Sequence, residues 1–316
     1  MFEAKSRKTI ALERICTLLC FAVVSAAEYG ARVFLLCSAA VIVSMLTEII
    51  CNEIRRKPLK LADLEASAVG LLVTLMMPPT VSYAVVIIAC IFAIIIGRQI
   101  FGGSENPVFP AAAVGYVFAQ LTWRTAVLTV PRVMEKLPLG TCADILTTES
   151  ASHLWNVSGT ITGQRMDWLT VTKLLPMGSN SMLLLVVVGA VLCLRRSSAF
   201  CTVLGMLSVS LLFGAATSYW TTAEGVLVCT AMTNLTLFSA LYLFGDPLIA
   251  PKGPLGIAYG MLAGFFSFYL TRIMHIQNAP VMLSIVMQPL AIWMNAIRAQ
   301  YGCRNSVPKK GRCAEQ

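Results

Sequence analysis

Arg98-Gln-Ile-Phe-Gly-Gly-Ser-Glu-Asn-Pro-Val-Phe-Pro-Ala-Ala-Ala-Val-Gly-Tyr-Val-Phe-Ala119 interrupts a chain that is otherwise mostly apolar. One long apolar segment ends at Gly97. A connection carrying Gly102, Gly103, Asn106, Pro107 and Pro110 follows, and a second apolar segment starts at Ala111. That second segment is short for a hydrocarbon layer whose crossing takes about 20 helical residues. Irregular backbone at membrane depth must find partners for its amides and carbonyls in protein or in a polar cavity. Such interruptions therefore point to a binding site or a transport path.

Working outward, the rest of the chain has the same character. Apolar residues make up 57% and charged residues 12%, about half the charge of a soluble domain, and the mean hydropathy is +0.77. Continuous apolar runs recur along the sequence, which predicts an all-α polytopic membrane protein in a lipid bilayer and excludes the alternating pattern of a β-barrel. The net charge of +9 does not point to nucleic acid, because the basic residues fall mostly in short connections between apolar runs. Of the eleven cysteines, most lie in apolar runs, where Cys acts as a small apolar residue. None has metal-ligand spacing, so no metal site is expected. Ser/His/Asp, zinc-protease and phosphate-loop constellations are missing too, which removes a hydrolase reading.

The runs predict about ten transmembrane helices, near 10–27, 30–50, 62–78, 81–97, 110–123, 181–194, 199–217, 225–244, 255–271 and 279–297. Pro78-Pro79 ends the third, since neither nitrogen can donate a helical hydrogen bond. Placing the N-terminus in the cytoplasm puts most Lys and Arg on that side, among them Lys5, Arg55, Arg56, Arg98, Arg195 and Lys252. Both termini are then cytoplasmic, and the long segment 124–180 is extracytoplasmic. The organisation read from this is a five-helix half over 1–123, the loop over 124–180, a second five-helix half over 181–300 and a basic cytoplasmic tail over 301–316. Five helices per half makes the halves inverted, as in transporters built from inverted repeats.

Four stretches are similar to one family. They are Asp63-Leu-Glu-Ala-Ser-Ala-Val-Gly-Leu-Leu-Val-Thr-Leu-Met-Met-Pro-Pro79, Gln99 to Tyr116, Gly189-Ala-Val-Leu-Cys-Leu-Arg-Arg196 with Leu212-Phe-Gly214, and Leu237-Phe-Ser239 through Gly245-Asp-Pro-Leu-Ile-Ala-Pro251. In order and spacing they resemble the membrane subunits RnfD, of the Rnf ferredoxin:NAD oxidoreductase complex, and NqrB, of the sodium-pumping NADH:quinone reductase. Length and loop pattern resemble RnfD more. The resemblance implies a bacterial inner-membrane subunit that carries electrons and couples them to sodium or proton movement, alongside the other subunits of an Rnf-type complex. Val69, where the family has Thr, and Leu248 after Asp246-Pro247 mark this as a diverged member.

The resemblance also implies a flavin mononucleotide (FMN) joined through its phosphate to a hydroxyl of the extracytoplasmic loop by a flavin transferase, and a second, non-covalent flavin. The loop reads Ala143-Asp-Ile-Leu-Thr-Thr-Glu-Ser-Ala-Ser-His-Leu154. Aligned on Asp144, Thr147 fits the motif and Ser150 takes the acceptor place. Aligned on Ala-Ser-x-Leu, Ser152 is the acceptor. Ser150 is preferred, although Glu149 beside it would repel an incoming phosphate. Trp155, Trp168, His153, Arg165 and Lys173 are the loop's candidate flavin contacts. Asp246, in the Gly/Pro break 245–254, is the candidate on an ion path, because ionisable groups within membrane proteins are functional candidates. Two other readings stay open: a channel or carrier for a small polar solute, and a flavin-free scaffold subunit.

Overall fold

The computed structural model describes residues 7–56, 64–101, 103, 108–131, 136–140, 142, 145–158, 174–195, 197–217, 223–251 and 253–306. Its first half holds α1 (Arg7–Tyr29), α2 (Ala31–Ile54), α3 (Leu64–Leu75), α4 (Tyr83–Ile94, continued as a π-helical turn Ile95–Gln99) and α5 (Ala111–Thr122). The outer segment contributes α6 (Arg124–Leu128), a two-stranded antiparallel ribbon of β1 (Thr129–Pro131) and β2 (Thr147–Glu149), and α7 (Ala151–Ser158). The second half holds α8 (Met182–Arg195), α9 (Ser197–Thr217), α10 (Ala223–Met232), α11 (Thr236–Ser239, continued as a π-helical turn Ala240–Phe244), α12 (Pro254–Arg272) and α13 (Ala279–Ser306). α13 runs past the predicted end at 297. Among the described residues, four helices are long and apolar enough to cross a membrane, and six further apolar helices are shorter.

Contacts at the helix ends define two faces. At the loop face Leu137 N donates to Tyr29 O, Ser25 Oγ to Met177 O, and Asn180 to Glu28. At the opposite, terminal face Arg195 of α8 pairs with Glu13 of α1 at 3.1 Å. α1 therefore runs from the terminal face to the loop face, and α8, which opens the second half, runs the other way.

Local chemistry explains the turns. Gly30 reverses the chain between α1 and α2 at φ +89°, a conformation that a Cβ would strain. Pro78-Pro79 ends α3 as predicted, and Pro254 occupies the first turn of α12, where a missing N–H costs nothing. Packing then depends on small residues. Gly256, Gly260 and Gly264 of α12 recur every four residues; Gly256 lies against Cys201, and Gly260 and Gly264 lie against Thr202 and Met206, all on α9, the close approach that small residues permit in membranes. Gly70 and Gly115 do the same against Ala40 and Ala89.

One core runs through both halves. Phe21 of α1 meets Phe238 and Tyr242 of the second half with ring centroids 6.0 and 6.4 Å apart. α13 packs on both α5 and α11.

Candidate functional site

The decisive local feature is a break that the sequence reading missed. Residues predicted as one span over 225–244 form two helices, interrupted by a turn of 3₁₀ helix over Thr233–Leu235. Asn234 and Leu235 there have φ of 55° and 56°. The left-handed region costs a non-glycine residue roughly 1–2 kcal/mol, so surrounding contacts must impose it. They come from the outer segment and from the α12–α13 turn. Asn234 Nδ2 donates to Asn156 Oδ1 at 2.8 Å, and Asn156 Nδ2 donates back to Asn234 Oδ1 at 3.0 Å. Asn234 N donates to Ser152 Oγ at 2.8 Å, and Asn278 N donates to Asn234 Oδ1 at 3.1 Å. Asn278 Nδ2 reaches Tyr116 OH of α5 at 2.5 Å. α7 is thus a short helix of the outer segment seated on the buried break of a membrane helix.

Directly below α7 lies a small cleft of about 20 Å³, room for a water-sized group, whose polar lining includes Ser210, Thr230, Thr233, Thr236, Ser267 and Thr271. Its mouth carries Trp155 and Arg272, whose guanidinium sits 5.2 Å over the Trp155 ring and donates to Trp155 O. Ser210 Oγ and Thr230 Oγ1 are buried without a hydrogen-bond partner, which marks the cleft as built for a polar occupant.

A second cavity, of about 80 Å³, lies at the terminal-face end and is lined by both Gly/Pro breaks. Arg98, at the first break, donates to Glu65 Oε2 at 3.0 Å and lies 3.8 Å from Glu48. Asp246, at the second, pairs with Arg14 at 2.9 Å and accepts from Leu248 N. Gln288 of α13 completes the wall, its Oε1 buried and unpartnered. Thr236 in the cleft and Tyr242 in the cavity stand on one helical stretch, about 9 Å apart along its axis. On the same stretch Phe238 and Tyr242 pack tilted against one another, and Phe21 of α1 meets both edge-on.

The predicted loop residues separate by environment. Ser150 is 5% exposed and precedes α7, its Oγ 3.4 Å from His153 N. Ser152 is 1% exposed and committed to Asn234 N. Thr147 is exposed on β2. Glu149 Oε2 lies 2.6 Å from His153 Nδ1, so the carboxylate expected to repel phosphate has an imidazole against it. Asp144, Trp168, Arg165 and Lys173 lie outside the described residues. Arg32, unremarked in the sequence, is 1% exposed. It donates to the carbonyls of Pro79, Val81, Pro138 and Gly140 and stacks on Tyr83.

Apolar helices, one of them broken where the two halves meet, with polar cavities toward each end, mark a polytopic membrane protein. The sequence matches the model of the NQR2, RnfD, RnfE family over residues 1–296, and the chain belongs to that family. It is 26% identical over 198 residues to the D subunit of the proton-translocating ferredoxin:NAD(+) oxidoreductase complex of Clostridium ljungdahlii, covering 58% of this chain and 59% of the relative. Shorter matches join it to the D subunit of the ion-translocating oxidoreductase complex of Buchnera aphidicola subsp. Schizaphis graminum (34% over 91 residues, 28% of this chain and 26% of the relative). The corresponding protein of Haemophilus influenzae PittEE is 32% identical over 98 residues, 30% of this chain and 27% of that protein. The matched regions thus span under two thirds of these relatives' lengths.

Proposed function

We propose that this chain is the D-type membrane subunit of an Rnf-like ion-translocating oxidoreductase complex, carrying electrons through flavin and coupling them to sodium or proton movement. It sits in the bacterial inner membrane with both termini cytoplasmic and works with the other subunits of that complex. The family, and relatives named as the D subunits of such complexes, support the class. The observation that carries the cofactor part is the hydroxyl-lined cleft beneath α7.

As it stands the cleft has room for a water-sized group only, so a flavin ring would sit against its mouth or require α7 to lift, and the groups it would then meet suit one. Ser210 and Thr230 offer unpartnered hydroxyls to a heteroaromatic ring, Trp155 and Phe268 supply apolar walls, and Arg272 places a cation at the mouth. When bound, FMN supplies a centre that accepts and releases electrons singly or in pairs. The residues of this chain bind and orient it. Ser150 is the favoured attachment hydroxyl, because Ser152 already holds the broken helix in place. A flavin transferase makes the phosphoester.

For the coupled ion, the terminal-face cavity offers Asp246 and Glu65, each balanced by an arginine. A cation arriving there competes with Arg14 for Asp246. The aromatic rings of Phe21, Phe238 and Tyr242 bar passage toward the cleft, since an ion stripped of water is costly in an apolar constriction.

The test is in-gel flavin fluorescence of the denatured chain after co-expression with its flavin transferase, with intact mass as a second readout. A fluorescent band and an FMN-sized mass increment are expected, both lost in Ser150→Ala and kept in Thr148→Ala, at a position the motif leaves open. A flavin-free chain, or an adduct that survives Ser150→Ala, overturns the assignment of the attachment site. Flavin retained by the native chain but released on denaturation supports the cleft without the phosphoester.

A further inference from the structure

A third cavity, of about 510 Å³, is unlike the other two. It is a groove between α8 and α9, floored by Leu237 and Leu241. Leu185, Gly189 and Cys193 form one wall and Val203 and Leu207 the other. The single hydroxyl on its lining, Ser208, donates to Gly205 O within its own helix, so the groove presents no free polar group. Its width comes from small residues: a Cβ at Gly189 would already lie 3.2 Å from Leu241.

Two features of the groove identify its occupant. The first is length. From Leu185 to Cys193 the α8 wall rises about 12 Å, and Arg195, where α8 ends at the terminal face, lies about 15 Å from Leu185 along the axis. That is half of a hydrocarbon layer of about 30 Å. The groove serves one leaflet, whereas a partner's transmembrane helix would need a track through both. The second is charge. Arg195 is 59% exposed at the groove's end and gives Glu13 one of its guanidinium donors, at 3.1 Å. An apolar slot one leaflet deep, ending in an exposed arginine at headgroup level, is complementary to a lipid with apolar chains and an anionic head.

We propose that the α8–α9 groove is a binding site for one anionic phospholipid of the terminal-face leaflet, its acyl chain along Gly189 and Val203 and its phosphate on Arg195. The site is independent of the flavin cleft. A bound lipid fills the void beside the broken helix at Leu237 and Leu241, and so supports that helix from the membrane side.

The delipidated full-length chain is titrated with phosphatidylglycerol or with phosphatidylcholine of the same acyl chains and read by native mass spectrometry. The expected result is one retained phosphatidylglycerol, preferred about fivefold over phosphatidylcholine, the ratio that corresponds to roughly 1 kcal/mol for one basic residue at the headgroup. Arg195→Gln removes the preference while binding persists. Glu13→Gln, which breaks the same ion pair but keeps the guanidinium, retains it. Ala190→Trp, at an exposed position on the groove wall, removes retention of both lipids. Equal affinity for the two lipids in the unaltered chain, or a preference that survives Arg195→Gln, overturns the proposal. A photo-crosslinking residue in place of Ala190, activated in native membranes, is expected to capture lipid. Capture of another protein of the complex instead would assign the groove to a protein partner and overturn it.

Discussion

Replacing Asn234 by alanine removes the side chain that fixes the broken helix. It deletes the reciprocal amide pair with Asn156, at 2.8 and 3.0 Å, and the acceptor of Asn278 N–H at 3.1 Å. The groups left behind are buried, and each orphaned one carries a penalty of about 1–3 kcal/mol. Asn156 Nδ2 keeps a longer contact to Ile276 O at 3.4 Å, so the loss is nearer two orphaned groups than three, about 2–4 kcal/mol. Alanine must also hold φ 55°, which adds roughly 1 kcal/mol. At about 2–4 °C per kcal/mol, this combined loss of about 3–5 kcal/mol should lower the melting temperature of the chain in detergent by about 6–20 °C. Two further variants separate the causes. Asn234→Gly loses the same bonds but accepts the left-handed backbone, and should regain about 1 kcal/mol. Asn156→Ala combined with Asn234→Ala removes both halves of the amide pair, so the two losses should fall short of additivity by about 1–2 kcal/mol. Hydrogen exchange at residues 151–158 should rise in each variant, because α7 loses its seat. Additive single losses, or a glycine variant no better than alanine, would refute the claim that the amide pair holds this backbone in place.

Three other perturbations probe the frame around the site. Arg32→Met leaves four carbonyls without their shared donor and should cost at least about 3 kcal/mol, with limited proteolysis opening the segment at 136–140 before the rest of the chain. Gly260→Val drives α9 and α12 apart and should sharply reduce the yield of folded protein on size exclusion, while Gly140→Ala, whose added Cβ meets nothing within 4 Å, should stay within about 0.5 kcal/mol of the parent. Arg14→Gln and Asp246→Asn should each destabilise by about 3 kcal/mol through the charge left behind in a largely buried place. The double variant should recover most of that in the same melting assay.

Much of the membrane frame could be read from apolar runs alone. Among the described residues, nine of the ten predicted segments coincide with one helix each and the tenth, 225–244, with two, since continuous apolarity and a helix's internal hydrogen bonding are joint requirements of the bilayer. The stops at Pro78-Pro79 and at the Gly/Pro connections were legible for the same reason. The break at Thr233–Leu235 was not. It contains neither Gly nor Pro, and Thr233 and Asn234 look tolerable in an apolar run. The left-handed turn exists only because Asn156 and Asn278, from distant parts of the chain, meet Asn234 there. A polar Thr-Asn pair in the middle of a span was the available signal. Ser152 and Ser150 illustrate the same limit within the candidate site. Their sequence contexts leave them interchangeable, and the backbone N–H that occupies Ser152 comes from residue 234. The Gly256, Gly260 and Gly264 ladder was legible in principle, as small residues four apart, but its partner on α9 was not.

The buried Arg32 bears on how this protein is made. Its guanidinium lies at the loop-face end of the α1–α2 hairpin, and part of its cage is the carbonyls of Pro138 and Gly140, 106 and 108 residues further along the chain. During synthesis the hairpin is in place long before those carbonyls emerge. Until they arrive, the cation has only the nearer carbonyls of Pro79 and Val81 and the Tyr83 ring. In the proposed orientation, the first half is therefore latched late, by a segment that must cross to the far side of the membrane before it can close over the arginine. Translocation of the outer segment and consolidation of the first five helices become a single event in biogenesis.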